Sequence, residues 1–137
     1  MTSHLRFEVT GHPPGKNEAR SMLAHGHPHR DRVVRLLEAA RDAMTTAGVA
    51  PFGPADSIGL EVVVRRPASV AGDATNCLGG IGDVLQSSRV GADVAHLGDL
   101  AAVHVYPDDK QIHEINYRLE DHPESSYLIH LWRRPSR

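Results

Sequence analysis

Two short acidic stretches hold the side chains best suited to chemistry in this 137-residue chain. In "GDATNCLGGIGDVLQ", residues 72–86, Asp73, Asn76 and Asp83 follow one another at spacings of three and seven. At 100° per residue, Asn76 and Asp83 share a helix face with Thr75, Gly79, Gly80 and Gly82, and Asp73 stands at the N-terminal edge of that face. Ala74, Cys77, Leu78, Ile81, Val84 and Leu85 take the other side. A hard divalent cation such as Mg²⁺ takes oxygen donors of this kind and keeps several waters. Glycines beside the donors let a bulky phosphate backbone approach closely. The second stretch is "VYPDDKQI", where Asp108 and Asp109 lie together between two strands, in a turn that aims them across the sheet at the helix N-terminus. A plainer reading accompanies each. Asp73 is also a good helix N-cap, Asp83 a solvated charge, the glycines a tight helix-to-strand contact, and aspartates favour turns for local hydrogen-bonding reasons.

Two further patterns point elsewhere. His25, His27 and His29 in "HGHPH", with His12, form an imidazole-rich loop of a kind that binds transition metals, although alternate histidines in loops are more often solvated. "GGIGD" has glycines but matches neither phosphate-binding fingerprint, and no strand delivers it.

The elements that must position these residues are read from period and punctuation. "LRFEVT" alternates Leu5, Phe7 and Val9 with polar residues and predicts a first strand. "GHPPGKNEARSMLAHGHPHR" has no sustained period and reads as a long loop, of the length usually functional or mobile. From Asp31 as N-cap, "DRVVRLLEAARDAMTTAG" puts Val33, Leu37, Ala40 and Met44 on one face and stops at Gly48, a helix. "SIGLEVVVRRP" predicts a second strand stopped by Pro67. The glycine-rich helix follows, then a loop, "SSRVGADVAHLGD", and a short strand in "LAAVHVYP". "QIHEINYRLE" and "SYLIHLWRR" are two more strands by alternation. The expected fold is α/β (α+β): one domain over residues 1–137, a mixed sheet of about five strands with two helices packed on it, in the order β-α-β-α-β-β-β.

Composition bounds the functional classes. Hydrophobic residues make up 40% and charged residues 23%, and the apolar runs are too short to cross a bilayer, so no membrane partner is expected. "MTSHLRFEV" lacks the basic and apolar regions of a secretory signal. The one cysteine, Cys77, agrees with a reducing compartment and excludes a cysteine-rich zinc module, so a cytoplasmic location is expected. A net charge of -2 gives no general attraction for nucleic acid, leaving only local arginine clusters: Arg30, Arg32, Arg35 and Arg41; Arg65 and Arg66; Arg133, Arg134 and Arg137.

Taken together, "D-x-T-N" opening a helix that contains Asp83 and Leu85, then "Y-P-D-D-K-Q-I" before a strand, resemble the RusA-type Holliday-junction endonucleases. In that family an Asp-x-Asp-Asn helix is followed by Asp-Asp-x-Gln-Val. The strand, "GHPPGKNEAR" loop and long helix at the front resemble the family's proline-rich and basic opening, so most of the chain is covered. The resemblance implies a small α/β homodimer that binds four-way DNA junctions and cuts them with Mg²⁺ or Mn²⁺. Carried over by position, Asp73, Asp83, Asp108 and Asp109 would hold the metal, with Asp73 and Asp109 central to catalysis. Asn76, Lys16, Arg20, Arg65, Arg66 and Lys110 would meet the DNA. Two positions depart from the pattern: Thr75 stands where the family has a second helix aspartate, and Gly79 where it has a lysine important for cutting. The alternative expectation, which those two changes suggest, is a catalytically impaired member that binds branched DNA or a protein partner without cutting.

Overall fold

Apolar residues at every second position have one face of a sheet to fill, and in the first strand they do. In β1 (His4–Thr10) Leu5 and Val9 are buried while His4, Arg6, Glu8 and Thr10 are exposed. This computed structural model describes residues 4–15, 30–69, 74–87 and 95–135. Within them run α1 (Arg30–Ala47), β2 (Ile58–Arg66), α2 (Ala74–Leu85), a 3₁₀ segment (Ala95–Ala102) kinked at Gly98, a 3₁₀ turn (Asp109–Gln111), β3 (Ile112–Asp121) and β4 (Ser126–Arg133). The fold is mixed α+β, with two helices on one face of a four-stranded sheet.

The strands stand in the order β1-β4-β2-β3. β4 lies antiparallel to both β1 and β2, and β3 lies parallel to β2. Parallel neighbours need a long crossover, and here it contains α2. β2 is central and buried along most of its length, from Ile58, Leu60, Val62 and Val64 on the helix side to Val63 on the other. Gly59 is required on that second face, because the Trp132 ring of β4 occupies the space a side chain would need. A bulge between Ile58 and Gly59 shifts the β2–β3 register and leaves His113 outside it, with its Nδ1 2.7 Å from the Ser57 hydroxyl.

Val33, Leu36, Leu37 and Ala40 of α1 and Ile81, Val84 and Leu85 of α2 are fully buried against Leu60, Val62, Tyr127, Ile129 and Leu131. Helix α1 includes Asp31 in its first turn, so Asp31 does not cap it as expected and instead faces Arg35 at 3.9 Å, an exposed pair of little energetic weight. Its end is as expected. Gly48 takes φ +67°, and its N–H and that of Val49 donate to the Thr45 and Met44 carbonyls, which closes the last turn.

The fifth strand expected in "LAAVHVYP" does not form. Leu100 to Ala102 belong to the 3₁₀ segment, and Val105 and Tyr106 run beside the end of α2 rather than beside a strand, making one isolated bridge, Gln86 with Tyr106. An alternating pattern specifies a strand only where a neighbouring strand is available to pair with it, and here the neighbour is a helix terminus.

Candidate metal and nucleic-acid site

The Asp108–Asp109 turn is built from its own sequence and then fastened to α2. Asp108 caps the 3₁₀ turn: its Oδ1 accepts the Lys110 backbone N–H at 2.9 Å, and the Gln111 Oε1 accepts the Asp108 N–H at 3.1 Å, a reciprocal capping box. Gln111 is itself buried, and its Nε2 donates to the carbonyls of Gly53 at 2.7 Å and Asp56 at 3.0 Å, which ties the turn to the loop before β2.

Four hydrogen bonds hold this turn on the helix. The Val105 N–H donates to the Leu85 carbonyl at 2.8 Å and the Ser87 N–H to the Tyr106 carbonyl at 3.0 Å, extending the chain along the end of α2. The fully buried Tyr106 donates its hydroxyl to the Gly82 carbonyl at 3.0 Å. The Asp109 N–H donates to Gln86 Oε1 at 3.0 Å. A methyl group on Gly82 would stand 3.8 Å from both Asp109 Oδ2 and the Tyr106 hydroxyl, so carboxylate and phenol share the space over the helix backbone at that residue.

Electrostatics locate the rest of the acid. The Tyr106 phenol is pushed far above its ordinary range, first by burial and then by the charges of Asp109, Asp83 and Asp108. All three charges act on the phenol in the same direction, so it stays protonated and keeps donating to Gly82. Asp83, half-buried, is the neighbour of Gly82 in sequence and lies one turn from Gln86. Gly79 is one turn before Asp83 on the same face.

The turn meets α2 at its C-terminal half, not at its N-terminus as expected. Ala74 and Asp83 are nine residues apart, about 13 Å along the helix axis. An ion near Asp83 and Asp109 is thus a long way from the first turn of α2. Asp73 lies outside the described residues, as do Lys16, Arg20 and the His25, His27 and His29 loop. Among the described residues, no group of three or more His, Cys, Asp or Glu side chains is placed to hold a metal ion.

The front loop does reach α2. Pro13, Pro14 and Gly15 are buried, and the Pro14 carbonyl occupies the position a side chain at Gly80 would take. A methyl on Gly15 would come 2.9 Å from the Asn76 Nδ2, so the residue before Lys16 is seated on Asn76. Thr75 is exposed in the first turn.

The basic residues divide. Lys110 is exposed on the acidic turn. Arg65 and Arg66 close β2, seven and eight residues from Ile58 and about 23 to 26 Å from the end of that strand where the turn is anchored. Arg65 is paired with Glu120 at 3.1 Å, and Arg66 is 6% exposed, so neither presents a guanidinium beside Asp109. Glu120 also accepts from Arg118 at 3.0 Å, and these two hydrogen bonds hold its carboxyl below the ordinary range.

Gln86, Tyr106 and Gln111, which fix the turn, were not among the expected site residues. Gln111 was legible as the fourth residue of an Asp-x-x-Gln capping box; Gln86 and Tyr106 act across the fold and leave no local signal. Compared with known proteins, the chain matches no protein-family model, and the search of curated proteins finds no match.

Proposed function

We propose that the chain is a Mg²⁺- or Mn²⁺-dependent, structure-selective DNA endonuclease that hydrolyses phosphodiester bonds at branched DNA such as four-way junctions, acting as a homodimer in the cytoplasm. The observation that supports this reading is that Asp109, on a turn tied to α2 by Gln86, stands with the Tyr106 hydroxyl over Gly82, the residue before Asp83. The donor set fits a magnesium ion, which takes one or two carboxylates, several waters and substrate phosphate oxygens. Asp83 and Asp109 would hold it, with Asp108 contributing less because its Oδ1 already accepts the Lys110 N–H. When bound, the ion supplies charge neutralisation at the phosphate and a more acidic water.

The chain's own residues do the positioning. Gln86 fixes the backbone at Asp109, Tyr106 fixes the helix beside it, and Lys110 offers a cation to a phosphate arriving at the turn. Asn76, with Gly15 seated on it, supplies a second contact region along α2.

Cleavage of a synthetic four-way junction with Mg²⁺ or Mn²⁺ tests the proposal. Asp109→Asn is expected to lower the rate at least about 100-fold while leaving junction binding within a few-fold. No cleavage with either ion overturns it. A second reading, binding to branched DNA or a protein partner without cutting, is favoured by Thr75 and Gly79, which remove one carboxylate and one cation from the family pattern. Metal titration calorimetry separates the two, because a chain that takes up no divalent ion cannot perform metal-assisted hydrolysis.

A further inference from the structure

β3 has a strand neighbour on one side only, and its outward edge carries the large hydrophobic side chains that stand most exposed among the described residues: Ile115 at 55% and Leu119 at 51%. They lie opposite the buried Leu60 and Val64 of β2, so they continue the helix-covered face of the sheet past the point where the helices cover it. Sheet edges are ordinarily protected by charge or by a covering element, because their unpaired N–H and C=O groups pair with other strands.

We propose that β3 pairs antiparallel with β3 of a second copy of this chain, about a two-fold axis at Asn116. This specifies a surface for the homodimer proposed above and depends on neither metal nor DNA.

The register follows from charge. A two-fold axis perpendicular to the sheet places residues of equal parity opposite each other. Centred on Asn116, it sets Glu114 against the partner's Arg118, twice, and Ile115 against the partner's Tyr117, twice. Centred on Tyr117, it opposes Glu114 to Glu120, two like-charge pairs. Centred on Arg118, it opposes two arginines and sets Ile115 against Asp121. Centred on Leu119, it matches Arg118 with Glu120 but sets Tyr117 against Asp121. The Tyr117 register joins Ile115 to Leu119 but with those like charges, whereas the Asn116 register joins two opposite-charge pairs on one face with two Ile115–Tyr117 contacts on the other and sets Leu119 against the partner's His113.

Within one chain Glu114 is paired with Arg134 at 3.2 Å and Arg118 with Glu120 at 3.0 Å. All four side chains are at least 37% exposed, so these pairs exchange for intermolecular ones at little cost. The other edge strand, β1, also opposes Arg6 to Glu8 in an antiparallel self-pairing. Its Leu5 and Val9 are already 3% and 2% exposed, so pairing there removes little further apolar surface.

Sedimentation equilibrium of the full chain, without metal or DNA, tests the proposal. Wild type is expected to dimerise. Glu114→Arg and Arg118→Glu are each expected to weaken dimerisation about tenfold or more, because each reverses two symmetry-related pairs, and the double variant to recover it. Arg134→Gln, which breaks only the pair within one chain, is expected to leave it unchanged. Asn116→Cys is expected to give a disulfide-linked dimer under mild oxidation, Cys77 being buried. Circular dichroism confirms that each variant folds. A monomeric wild type overturns the proposal, as does a dimer that is insensitive to Glu114→Arg, a double variant that does not recover, or a dimer disrupted by Arg6→Glu instead. A monomer that still cuts a junction leaves the endonuclease reading standing, and a dimer of this register that binds no metal leaves this proposal standing.

Discussion

Helix α2 is gripped at two places by different means. At its middle the grip is backbone on backbone, with Gly80 under the Pro14 carbonyl. In its second half it is made by side chains: the Tyr106 hydroxyl on the Gly82 carbonyl and the Gln86 amide oxygen on the Asp109 N–H. The first contact leaves no room for a methyl group. The second leaves ordinary van der Waals space above the helix, bordered by the Asp109 carboxylate and the Tyr106 hydroxyl. Close packing thus fixes where α2 sits, while hydrogen bonds fix what faces it, and the glycines that look equivalent in the sequence serve different ends.

The largest effect expected is at Gly80. Gly80→Ala forces either the front loop or the helix to move, at a cost of about 2 to 3 kcal/mol, whereas Gly82→Ala gains helix propensity and falls within about 1 kcal/mol of wild type on the stabilising side. Urea unfolding of both variants measures the difference; equal effects would break the distinction between the two grips.

Next in size is the contrast between two buried tyrosines. Tyr106 donates to Gly82, but the Tyr127 hydroxyl is buried with no hydrogen-bond partner among the described residues, and burial pushes its pKa far up. Tyr106→Phe is expected to cost about 1 to 2 kcal/mol and Tyr127→Phe nothing, or to stabilise slightly, since removing an unpaired buried hydroxyl relieves desolvation. Melting temperatures of the pair give the sign directly.

The smallest effect lies away from both grips. On the face of the sheet opposite the helices, burial, then Arg6, holds the His130 pKa below the ordinary 6.5, with Glu61 opposing and His4 adding to the depression. The neutral ring is favoured in the folded chain and the unfolded chain binds the proton more readily. This contribution is complete above about pH 6.5 and is lost as the pH falls through the lowered folded value. His130→Gln should flatten the unfolding midpoint between about pH 7 and 5; an unchanged slope would remove His130 as its source.

Periodicity was sufficient for β1, α1, β2, α2, β3 and β4, because each buries a face through residues near in sequence. It could not supply the neighbour order. β3 and β4 are consecutive and alternate as a hairpin would, yet β4 inserts between β1 and β2 while β3 goes to the edge. The exposed Ile115 and Leu119 have the spacing of a half-buried strand, and nothing local marks them as uncovered. At the site, an aspartate pair in a turn was legible from residue types, but its meeting point on α2 depends on Tyr106 and Gln86, which lie 24 and 23 residues from their partners. Arg65 and Arg66 show the reverse case: their types are legible in the sequence, but only strand geometry shows that they lie at the end of β2 far from the turn, Arg65 paired with Glu120 and Arg66 buried.

The Trp132 ring that fills the space above Gly59 has a practical use. It is the one tryptophan in the chain, seated on the central strand with its ring centroid 5.0 Å from that of His130. The chain therefore carries a single indole fluorophore, at the β2–β4 seam, that can be excited apart from the tyrosines. Its emission reports separation of those strands, and comparing it with helical circular dichroism shows whether the sheet and the α2 contacts come apart in one step or in two.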